Sequence, residues 1–222
     1  MVSDPVRHFL GASSFPLDAL LDDKLDLFIV VPLDQVEKQA VFMRLFVNLV
    51  LGTVVRQDGR RRPKAPILLV LDEFVRMGRM EQIVSVANVA AGAGVEALFV
   101  TQDVGQLQKA YGKNDADSIL GSCVTKRILN LGDVGTAEWV VRHMGEGTVY
   151  AQQVRERRTP ARGRDLSYAE QRRTLMTPGE VMAMSADEVL VLIGGHAPLR
   201  AKQNRYFDAK VYRGQWDENP LL

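Results

Sequence analysis

Ile67-Leu68-Leu69-Val70-Leu71-Asp72-Glu73-Phe74 is the stretch that decides the fold of this chain of 222 residues. Its first five residues are all apolar, which is typical of a strand buried on both faces of a parallel sheet. Asp72 and Glu73 follow at the end of such a strand, where open α/β sheets bind their ligands. In phosphoryl transfer, one acid associates with Mg²⁺ and a second polar group orients the attacking water. The stretch looks like a Walker B strand, although a strand-end acid that caps a helix has the same pattern.

The loop that cradles phosphates is missing from the sequence. The motif Gly-x-x-x-x-Gly-Lys-Ser/Thr does not occur in these residues. The nearest string, Gly112-Lys113-Asn114, has Leu107 at the place of the first glycine and lacks the final hydroxyl. We therefore expect this chain to hold half of a nucleotide site and, alone, to show no measurable ATP hydrolysis.

Composition places the chain among ordinary globular proteins. Hydrophobic residues make up 46% and charged residues 25%, and the formal net charge is +1. The net charge therefore creates no strong attraction to nucleic acid or membrane, and such binding would need a local patch of positive charge. The single cysteine, Cys123, is interpreted as a small buried hydrophobic residue rather than a nucleophile. His8, His143 and His196 share no ligand spacing, so they predict no metal site.

Targeting signals are not apparent either. Residues 1–10 lack the basic and then apolar order of a signal peptide. The longest apolar stretch, 36–55, is interrupted by Glu37, Lys38 and Arg44, so it predicts a helix covered by protein rather than a membrane span.

Strands and helices alternate over the first 145 residues. The patterns predict strands at 26–32, 67–72, 95–101 and 124–130, and helices at 34–57, 80–91, 104–111, 115–121 and 133–143. This alternation predicts a parallel sheet with helices on both faces. Asp72-Glu73 and Gln102-Asp103 then lie at the same edge of the sheet. Gln102 could position water or contact a γ-phosphate, and a simple turn hydrogen bond is its alternative role.

The pattern changes after Gly145. The sequence predicts strands at 147–155, 188–193 and 199–207, a loop at 58–64, and a loose tail from residue 213. Thr177-Pro178-Gly179-Glu180 is a capping box that predicts a short helix to about residue 184.

Seven arginines between residues 155 and 173 are interpreted as a flexible or edge excursion. Two functions remain open for them. They could contact phosphates of nucleic acid, or they could form a solvated loop. Aromatic residues are too sparse there for a base-stacking platform. The candidate nucleic-acid residues are Arg155, Arg157, Arg158, Arg162 and Arg164.

Several strings in order resemble one protein family. They are Pro32-Leu33-Asp34, Leu71–Arg79, Ala91–Val95, Gln102–Leu107, Tyr111-Gly112, Asp133–Glu138, Leu175–Val181, Gly195–Pro198 and Arg205–Phe207. Together they resemble the C-terminal half of the TraG/TraD-type coupling protein of type IV secretion and conjugation. The resemblance covers nearly the whole chain.

The resemblance implies an α/β fold, namely the C-terminal half of a RecA-like P-loop NTPase core. Its sheet is expected to be mostly parallel and flanked by helices, with a small antiparallel addition near the C-terminus. We expect one domain over residues 1–212, with a segment similar to the TraM-recognition region at about 67–195, and a tail at 213–222.

The resemblance also implies a function. Such proteins couple ATP hydrolysis to the transfer of relaxase–DNA or protein substrates to a secretion channel. Asp72 matches the acid that binds nucleotide-associated Mg²⁺ through water, Glu73 the catalytic glutamate, and Gln102 the glutamine of the next motif. ATP and Mg²⁺ are thus the implied cofactors, once the missing N-terminal half is supplied.

Assembly and location follow from the same resemblance. The implied partners are relaxosome or effector proteins, with DNA possible, in a hexamer of the full-length protein. That protein is expected at the cytoplasmic face of the bacterial inner membrane, held by an N-terminal segment absent here. This chain alone is expected to be soluble and cytoplasmic.

The sequence departs from the family pattern at two positions. Ala91 stands where some relatives have an arginine suited to reach a neighbouring subunit, and Ser122 where asparagine is frequent. Arg76, Arg79 and Arg127 are the remaining candidates for that arginine.

Two alternatives to an ATPase part stay open. One is a non-enzymatic docking module for relaxosome or effector proteins. The other is an unrelated α/β enzyme, although no Gly-rich dinucleotide loop supports a dehydrogenase.

Overall fold

A computed structural model describes residues 15–22, 25–32, 34–55, 63–84, 92, 94–156 and 164–215. For residues 55, 149–156 and 164–169 it describes only the backbone. The chain forms two compact units, Met1–Cys123 and Val124–Leu222, and each is treated by itself. The expected single domain over 1–212 stays a prediction.

The first unit contains a two-stranded parallel sheet. Strands β1 (Ile67–Leu71) and β2 (Val95–Phe99) pair in parallel, with Ile67 beside Val95 and Leu71 beside Phe99. This confirms the prediction that 67–72 and 95–101 contain strands and that the two strands are parallel. Because both strands run the same way, the residues that follow Leu71 and Phe99 meet at one edge of the sheet.

The described part of the first unit also contains three helices of eight residues or more. They are α1 (Val36–Val55), α2 (Val104–Tyr111) and α3 (Lys113–Ser122). Residues 81–84 are also helical, whereas the rest of the predicted helix 80–91 lies outside the described residues. The predicted loop 58–64 is described only from residue 63, and 3-10 turns occupy Leu17–Asp22 and Phe74–Met77.

The core of this unit gathers around Phe74. Its ring is 1% exposed and lies 5.2 Å from the ring of Phe99 and 5.9 Å from that of Tyr111. Full burial of one such side chain contributes about 1.5–3 kcal/mol. Leu107 and Ile119 bring α2 and α3 to the same core. Phe74 thereby anchors the residue before it, Glu73, to the protein interior.

One face of the sheet is not buried. Leu68, Val70, Leu98 and Val100 are 60%, 52%, 47% and 40% exposed. The continuous apolar run predicted burial on both sides, and for this face the prediction is wrong. Only the face of Ile67, Leu69 and Leu71 packs against the core.

Helix α1 also has an exposed apolar side. Val41, Leu45 and Leu49 lie four residues apart along one side and are 69%, 50% and 42% exposed. The helix was predicted correctly in position, but the prediction that protein covers it all round is wrong.

The predicted strand at 26–32 is absent from the described residues 25–32. Phe28 and Val30 are 84% and 89% exposed. A strand requires a neighbour to take its backbone hydrogen bonds, and none of the described strands pairs with this segment. Apolar composition alone was therefore insufficient to predict a strand here.

The second unit is built on an antiparallel sheet in the order β3-β6-β7. Its strands are β3 (Thr125–Ile128), β6 (Glu188–Ile193) and β7 (Leu199–Lys202). The prediction that 124–130 joins the parallel sheet is wrong, since β3 pairs antiparallel with β6. Its residues alternate between exposed and half-buried, as in sheets with one wet face.

The two α-helices described in the second unit begin at the capping residues that the sequence predicted. Helix α4 (Val134–Met144) begins after Asp133, whose carboxylate accepts a bond from the Thr136 amide at 2.7 Å. Helix α5 (Pro178–Met182) begins with the predicted capping box. The predicted last strand, 199–207, ends earlier, at Lys202.

A long two-stranded ribbon completes the second unit. Strands β4 (Glu146–Glu156) and β5 (Arg164–Thr174) are antiparallel over eleven pairs, from Glu146 beside Thr174 to Glu156 beside Arg164. Residues 164–173, interpreted from the sequence as part of a flexible or edge excursion, form a regular strand of this two-stranded ribbon. Residues 157–163 lie outside the described part, as do 216–222 of the predicted tail.

Along the described helices, no segment is both long enough and apolar enough to cross a bilayer.

Candidate functional site

Glu73 occupies an unusual backbone position directly after β1. Its φ of 44° and ψ of 39° are left-handed, a conformation that costs most L-residues about 1–2 kcal/mol. Among the described residues, Asn130 is the other non-glycine residue with positive φ. Because Phe74 is buried, the turn at Glu73 is held in place by the core. Strain of this kind clusters at functional sites.

The Glu73 carboxylate forms a hydrogen bond between the residues that follow β1 and β2. Its Oε1 accepts a hydrogen bond from Nε2 of Gln102 at 2.9 Å, and its Oε2 lies 2.6 Å from Nε of Arg76. Gln102 follows β2, so this contact links the residues after both parallel strands. The structure therefore brings together Glu73 and Gln102, as the sequence predicted.

A second layer of contacts holds Gln102. Gln106 donates from Nε2 to Oε1 of Gln102 at 3.1 Å and to Oδ2 of Asp103 at 2.8 Å. Asp103 caps α2 by accepting from the Gln106 amide at 2.6 Å. The first turn of α2 thus orients the Gln102 amide, with its nitrogen toward Glu73 and its oxygen toward Gln106.

Sequence reasoning missed Gln106 and the contact between Arg76 and Glu73. A signal for Gln106 existed, because it stands three residues after the capping acid Asp103, within reach of the helix start. Arg76 was considered only as a residue that reaches another subunit. Its position three residues after Glu73 places it on the same 3-10 turn.

Asp72 differs from its neighbour. It is exposed, and it has no hydrogen bond or ion pair in the described part of the chain. Mg²⁺ in phosphate sites keeps several waters and uses one or two carboxylates together with phosphate oxygens. A single free carboxylate fits that donor set, whereas a cage made of protein alone would need more groups. Within the described ranges, no cluster of three His, Cys, Asp or Glu side chains could hold a metal.

The site has little space of its own. Glu73, Arg76, Gln102 and Gln106 close on one another with Val75 and Thr101 and leave no water-sized cavity. Any nucleotide would therefore have to lie over these groups rather than inside a pocket that they form.

Arg79 forms ion pairs and a hydrogen bond with residues near the site. Its guanidinium lies 2.6 Å from an oxygen of Glu81 and 2.6 Å from Asp115, and it donates to the Tyr111 carbonyl at 2.6 Å. The hydrogen bond to Arg79 lowers the pKa of Glu81, and hydrogen bonds to Glu81 and Asp115 raise that of Arg79. Burial raises the pKa of Tyr111.

The three candidate arginines for a neighbouring subunit differ in their partners. Arg76 is paired with Glu73 and Arg79 with Glu81 and Asp115. Arg127 is exposed on β3, and among the described residues it has no ion pair. The role of each in such a contact stays a prediction.

The candidate nucleic-acid residues fall on or beyond the ribbon. Arg155 is in β4 and Arg164 begins β5, and the register sets them opposite Asp165 and Glu156. The other three candidates, Arg157, Arg158 and Arg162, lie outside the described residues.

A family model, described as type IV secretory system conjugative DNA transfer, matches residues 2–219 of the chain. The protein named "Probable conjugal transfer protein TraG" of Sinorhizobium fredii is 31% identical over 213 residues, which cover 93% of this chain and 33% of that protein. Protein VirD4 of Agrobacterium fabrum is 23% identical over 212 residues, covering 95% of this chain and 32% of that protein. The chain thus spans about a third of the length of these relatives.

The solved structures of a coupling protein share the fold. The bacterial conjugative coupling protein TrwBdeltaN70, in its unbound monoclinic form, is similar with a TM-score of 0.69 and 20% identity, covering 86% of this chain and 44% of that one. TrwB in complex with ADP and Mg²⁺ has a TM-score of 0.66 and 19% identity, covering 85% of this chain and 42% of that one.

Proposed function

This chain belongs to the type IV secretory system conjugative DNA transfer family, and we propose that it supplies the water-activating half of the ATP site in a coupling protein. These residues contain no phosphate-binding loop motif. Another stretch of protein therefore has to supply most of the nucleotide affinity. Such a site drives the transfer of a relaxase–DNA complex or a protein substrate to a secretion channel.

One observation carries this proposal, the 2.9 Å hydrogen bond between Glu73 and Gln102. It holds a carboxylate and an amide side by side beyond two parallel strands, where α/β sheets bind ligands. The left-handed backbone of Glu73 is energetically unfavourable, and strain of this kind clusters at functional sites. The ionised Glu73 carboxylate can accept a hydrogen bond from a water molecule, and the Gln102 amide can donate to or accept from the same water.

Each residue has a distinct role in the proposed site. Asp72 is free to hold Mg²⁺ through water, and the ion would supply charge neutralisation for the phosphates. Glu73 orients the attacking water and accepts its proton. Gln102 fixes that water's second hydrogen bond, and Gln106 holds the Gln102 amide in the required orientation. Arg76 offsets the Glu73 charge when no nucleotide is bound.

We also propose the partners, the oligomeric state and the cellular location of the complete protein. Relaxosome or effector proteins are its partners, and hexamer formation creates the complete site. The complete protein acts at the cytoplasmic face of the inner membrane.

The proposal is tested by a chimera in which this chain replaces the matching third of the Sinorhizobium fredii relative. We expect ATP hydrolysis by the chimera and none by the chain alone. Glu73→Gln should remove hydrolysis from the chimera while Mg²⁺–ATP binding is retained, because the substitution keeps the shape but not the basicity.

The matched control is Glu81→Gln, which removes a carboxylate at the Arg79 contact outside the site. It should leave hydrolysis unchanged. Turnover by the isolated chain that Glu73→Gln abolishes would contradict the proposal. A folded chimera that binds nucleotide without hydrolysis would instead favour the docking-module alternative.

A further inference from the structure

Both oxygens of the Glu73 carboxylate are engaged in this structure. Oε1 accepts a hydrogen bond from Gln102 at 2.9 Å, and Oε2 lies 2.6 Å from Nε of Arg76. Oε2 is itself covered and accepts no hydrogen bond from the described part of the chain, so the ion pair with Arg76 offsets its charge. The surrounding side chains leave no water-sized cavity. A water molecule therefore cannot reach Oε2 while Arg76 stays in this position.

Arg76 can leave the contact without a change of the fold. It belongs to the 3-10 turn whose end residues, Phe74 and Met77, are 1% and 3% exposed. The Met77 carbonyl also accepts a hydrogen bond from Arg44, so the turn is fixed to the core. The Arg76 side chain, by contrast, is 41% exposed, and exposed side chains change rotamer within nanoseconds. Rotation of this side chain alone would uncover Oε2.

A phosphate group would compete well with Glu73 for the Arg76 guanidinium. Ion pairs between partly exposed side chains are weak. A terminal phosphate carries more negative charge than one carboxylate, and a guanidinium can bind its oxygens through two parallel hydrogen bonds. Arg76 should therefore exchange Glu73 for a phosphate that comes within its reach.

The terminal phosphate of ATP would lie within that reach. A water activated by Glu73 has to lie about 3–3.5 Å from the phosphorus that it attacks. Because Arg76 contacts the same carboxylate, its guanidinium is separated from that phosphate by about the width of one water molecule. Arg44 and Arg79 instead donate to the backbone carbonyls of Met77 and Tyr111 and are held by the fold.

We propose that Arg76 senses the terminal phosphate of ATP and controls the access of water to Glu73. Without that phosphate, Arg76 pairs with Glu73 and covers Oε2. With ATP bound, the guanidinium moves to a terminal phosphate oxygen, and Oε2 becomes free to accept a hydrogen bond from the attacking water. ADP lacks this phosphate and leaves the ion pair closed. The proposal rests on the ATP site proposed above, and it adds a nucleotide-dependent switch to that site.

The closed ion pair is tested on the complete chain by carboxyl modification. A carbodiimide and a small amine convert an accessible carboxylate into an amide, and mass spectrometry reports the modified fraction at each position. Asp72 is exposed and serves as the internal reference. Arg76→Ala should raise modification of Glu73 relative to Asp72 severalfold, because Oε2 is uncovered. An unchanged ratio would overturn the proposal.

The matched control is Arg200→Ala, which removes the arginine from the ion pair with Glu188 in the second unit. It should raise modification of Glu188 and leave that of Glu73 unchanged. A similar rise at Glu73 in this control would overturn the proposal, because the protection of Glu73 would then not depend on Arg76.

The exchange of partners is tested by nucleotide binding in the chimera described above. Calorimetry compares a non-hydrolysable ATP analogue with ADP, both with Mg²⁺. Arg76→Ala should weaken binding of the analogue by about tenfold, as expected for the loss of a hydrogen bond to a charged group, and leave binding of ADP unchanged. Arg76→Lys should recover part of the loss, since lysine keeps the charge but not the planar fork. Equal weakening of both nucleotides, or of neither, would overturn the proposal.

Failure of this switch and failure of the proposed ATP site give different results. If Arg76→Ala binds both nucleotides normally while Glu73→Gln abolishes hydrolysis, the ATP site stands and the switch is wrong. If Arg76→Ala selectively weakens the ATP analogue while Glu73→Gln still hydrolyses ATP, phosphate sensing stands and the water-activating role of Glu73 is wrong. An unsubstituted chimera that binds neither nucleotide would overturn both.

Discussion

At Glu73 the chain places a carboxylate on a left-handed backbone between a strand and a buried ring. The residue type is poorly suited to that conformation, with φ at 44°. Its two side-chain contacts, to Gln102 and Arg76, lie on a partly exposed surface. Contacts of that kind contribute little to stability, with exposed ion pairs near 0–1 kcal/mol. A catalytic role therefore explains the carboxylate at this position better than a contribution to the stability of the fold.

Replacement of Glu73 by asparagine should test this conclusion. Asparagine visits the left-handed region readily, so Glu73→Asn should leave the free energy of unfolding unchanged or raise it by up to about 1 kcal/mol. Urea denaturation measures the change. Asp72→Asn removes the same charge from a position without positive φ and should bring no gain. A marked loss of stability in Glu73→Asn would mean that Glu73 is a structural residue.

How far a site can be predicted from sequence is illustrated by the same cluster. Asp72, Glu73 and Gln102 were predicted because each follows an apolar run that ends at the edge of the sheet. Gln106 was not, because its contact with Gln102 depends on how the first turn of α2 is capped by Asp103. Side-chain directions within a loop and a helix turn are not encoded by a repeating pattern.

Among the elements, α5 shows how strongly a local motif can determine structure. The Thr177 hydroxyl accepts from the Glu180 amide at 3.2 Å, and the Glu180 carboxylate accepts from the Thr177 amide at 2.7 Å. The helix has only five residues. Helices that short do not persist in water without such support.

Loss of the cap should therefore be measurable. We expect Thr177→Ala to lower the free energy of unfolding by about 1 kcal/mol, since alanine cannot accept the bond from the helix amide. Thr177→Ser keeps the hydroxyl and should cost much less. Thermal and urea denaturation would report both variants, and equal losses for serine and alanine would contradict the role of the cap.

Strands were less predictable than capped helices. Segments 26–32 and 67–71 have similar apolar runs, yet only the second has a parallel neighbour, β2. Pairing is decided by residues far away in the chain, which a local pattern does not contain. The antiparallel partner of β3 was missed for this reason, and the sequence Thr125-Lys126-Arg127-Ile128 has no apolar and polar alternation that would have indicated a sheet with one solvent-exposed face.

At the scale of the whole molecule, acidic side chains in the second unit stabilise its folded state. Hydrogen bonds from Thr136 lower the pKa of Asp133 below its ordinary 3.8. Bonds from Thr177 lower the pKa of Glu180, and those from Arg200 the pKa of Glu188, below their ordinary 4.5. Each group is ionised in its favourable contact, so the unfolded chain takes up protons more readily than the folded one as the pH falls.

Stability should consequently depend on pH in one direction. A lowered pKa contributes stability above the ordinary pKa, and that contribution disappears as the pH falls through the folded pKa. We expect the urea midpoint to be flat from about pH 5 to 7 and to fall below about 4.5. Glu188→Gln should reduce the fall, because the pKa of this carboxyl is lowered in the folded state. A midpoint that rises on acidification would exclude this account.

The exposed face of the parallel sheet has a further consequence for the protein in solution. Leu68, Val70, Leu98 and Val100 are each between 40% and 60% open to water, at a cost of about 25 cal/mol for every Å² of apolar surface. Covering this face removes apolar surface from water, which favours association with whichever molecule provides the covering surface. We therefore expect association of this chain to increase with its concentration and to decrease in mild detergent, with every fold contact described above unchanged.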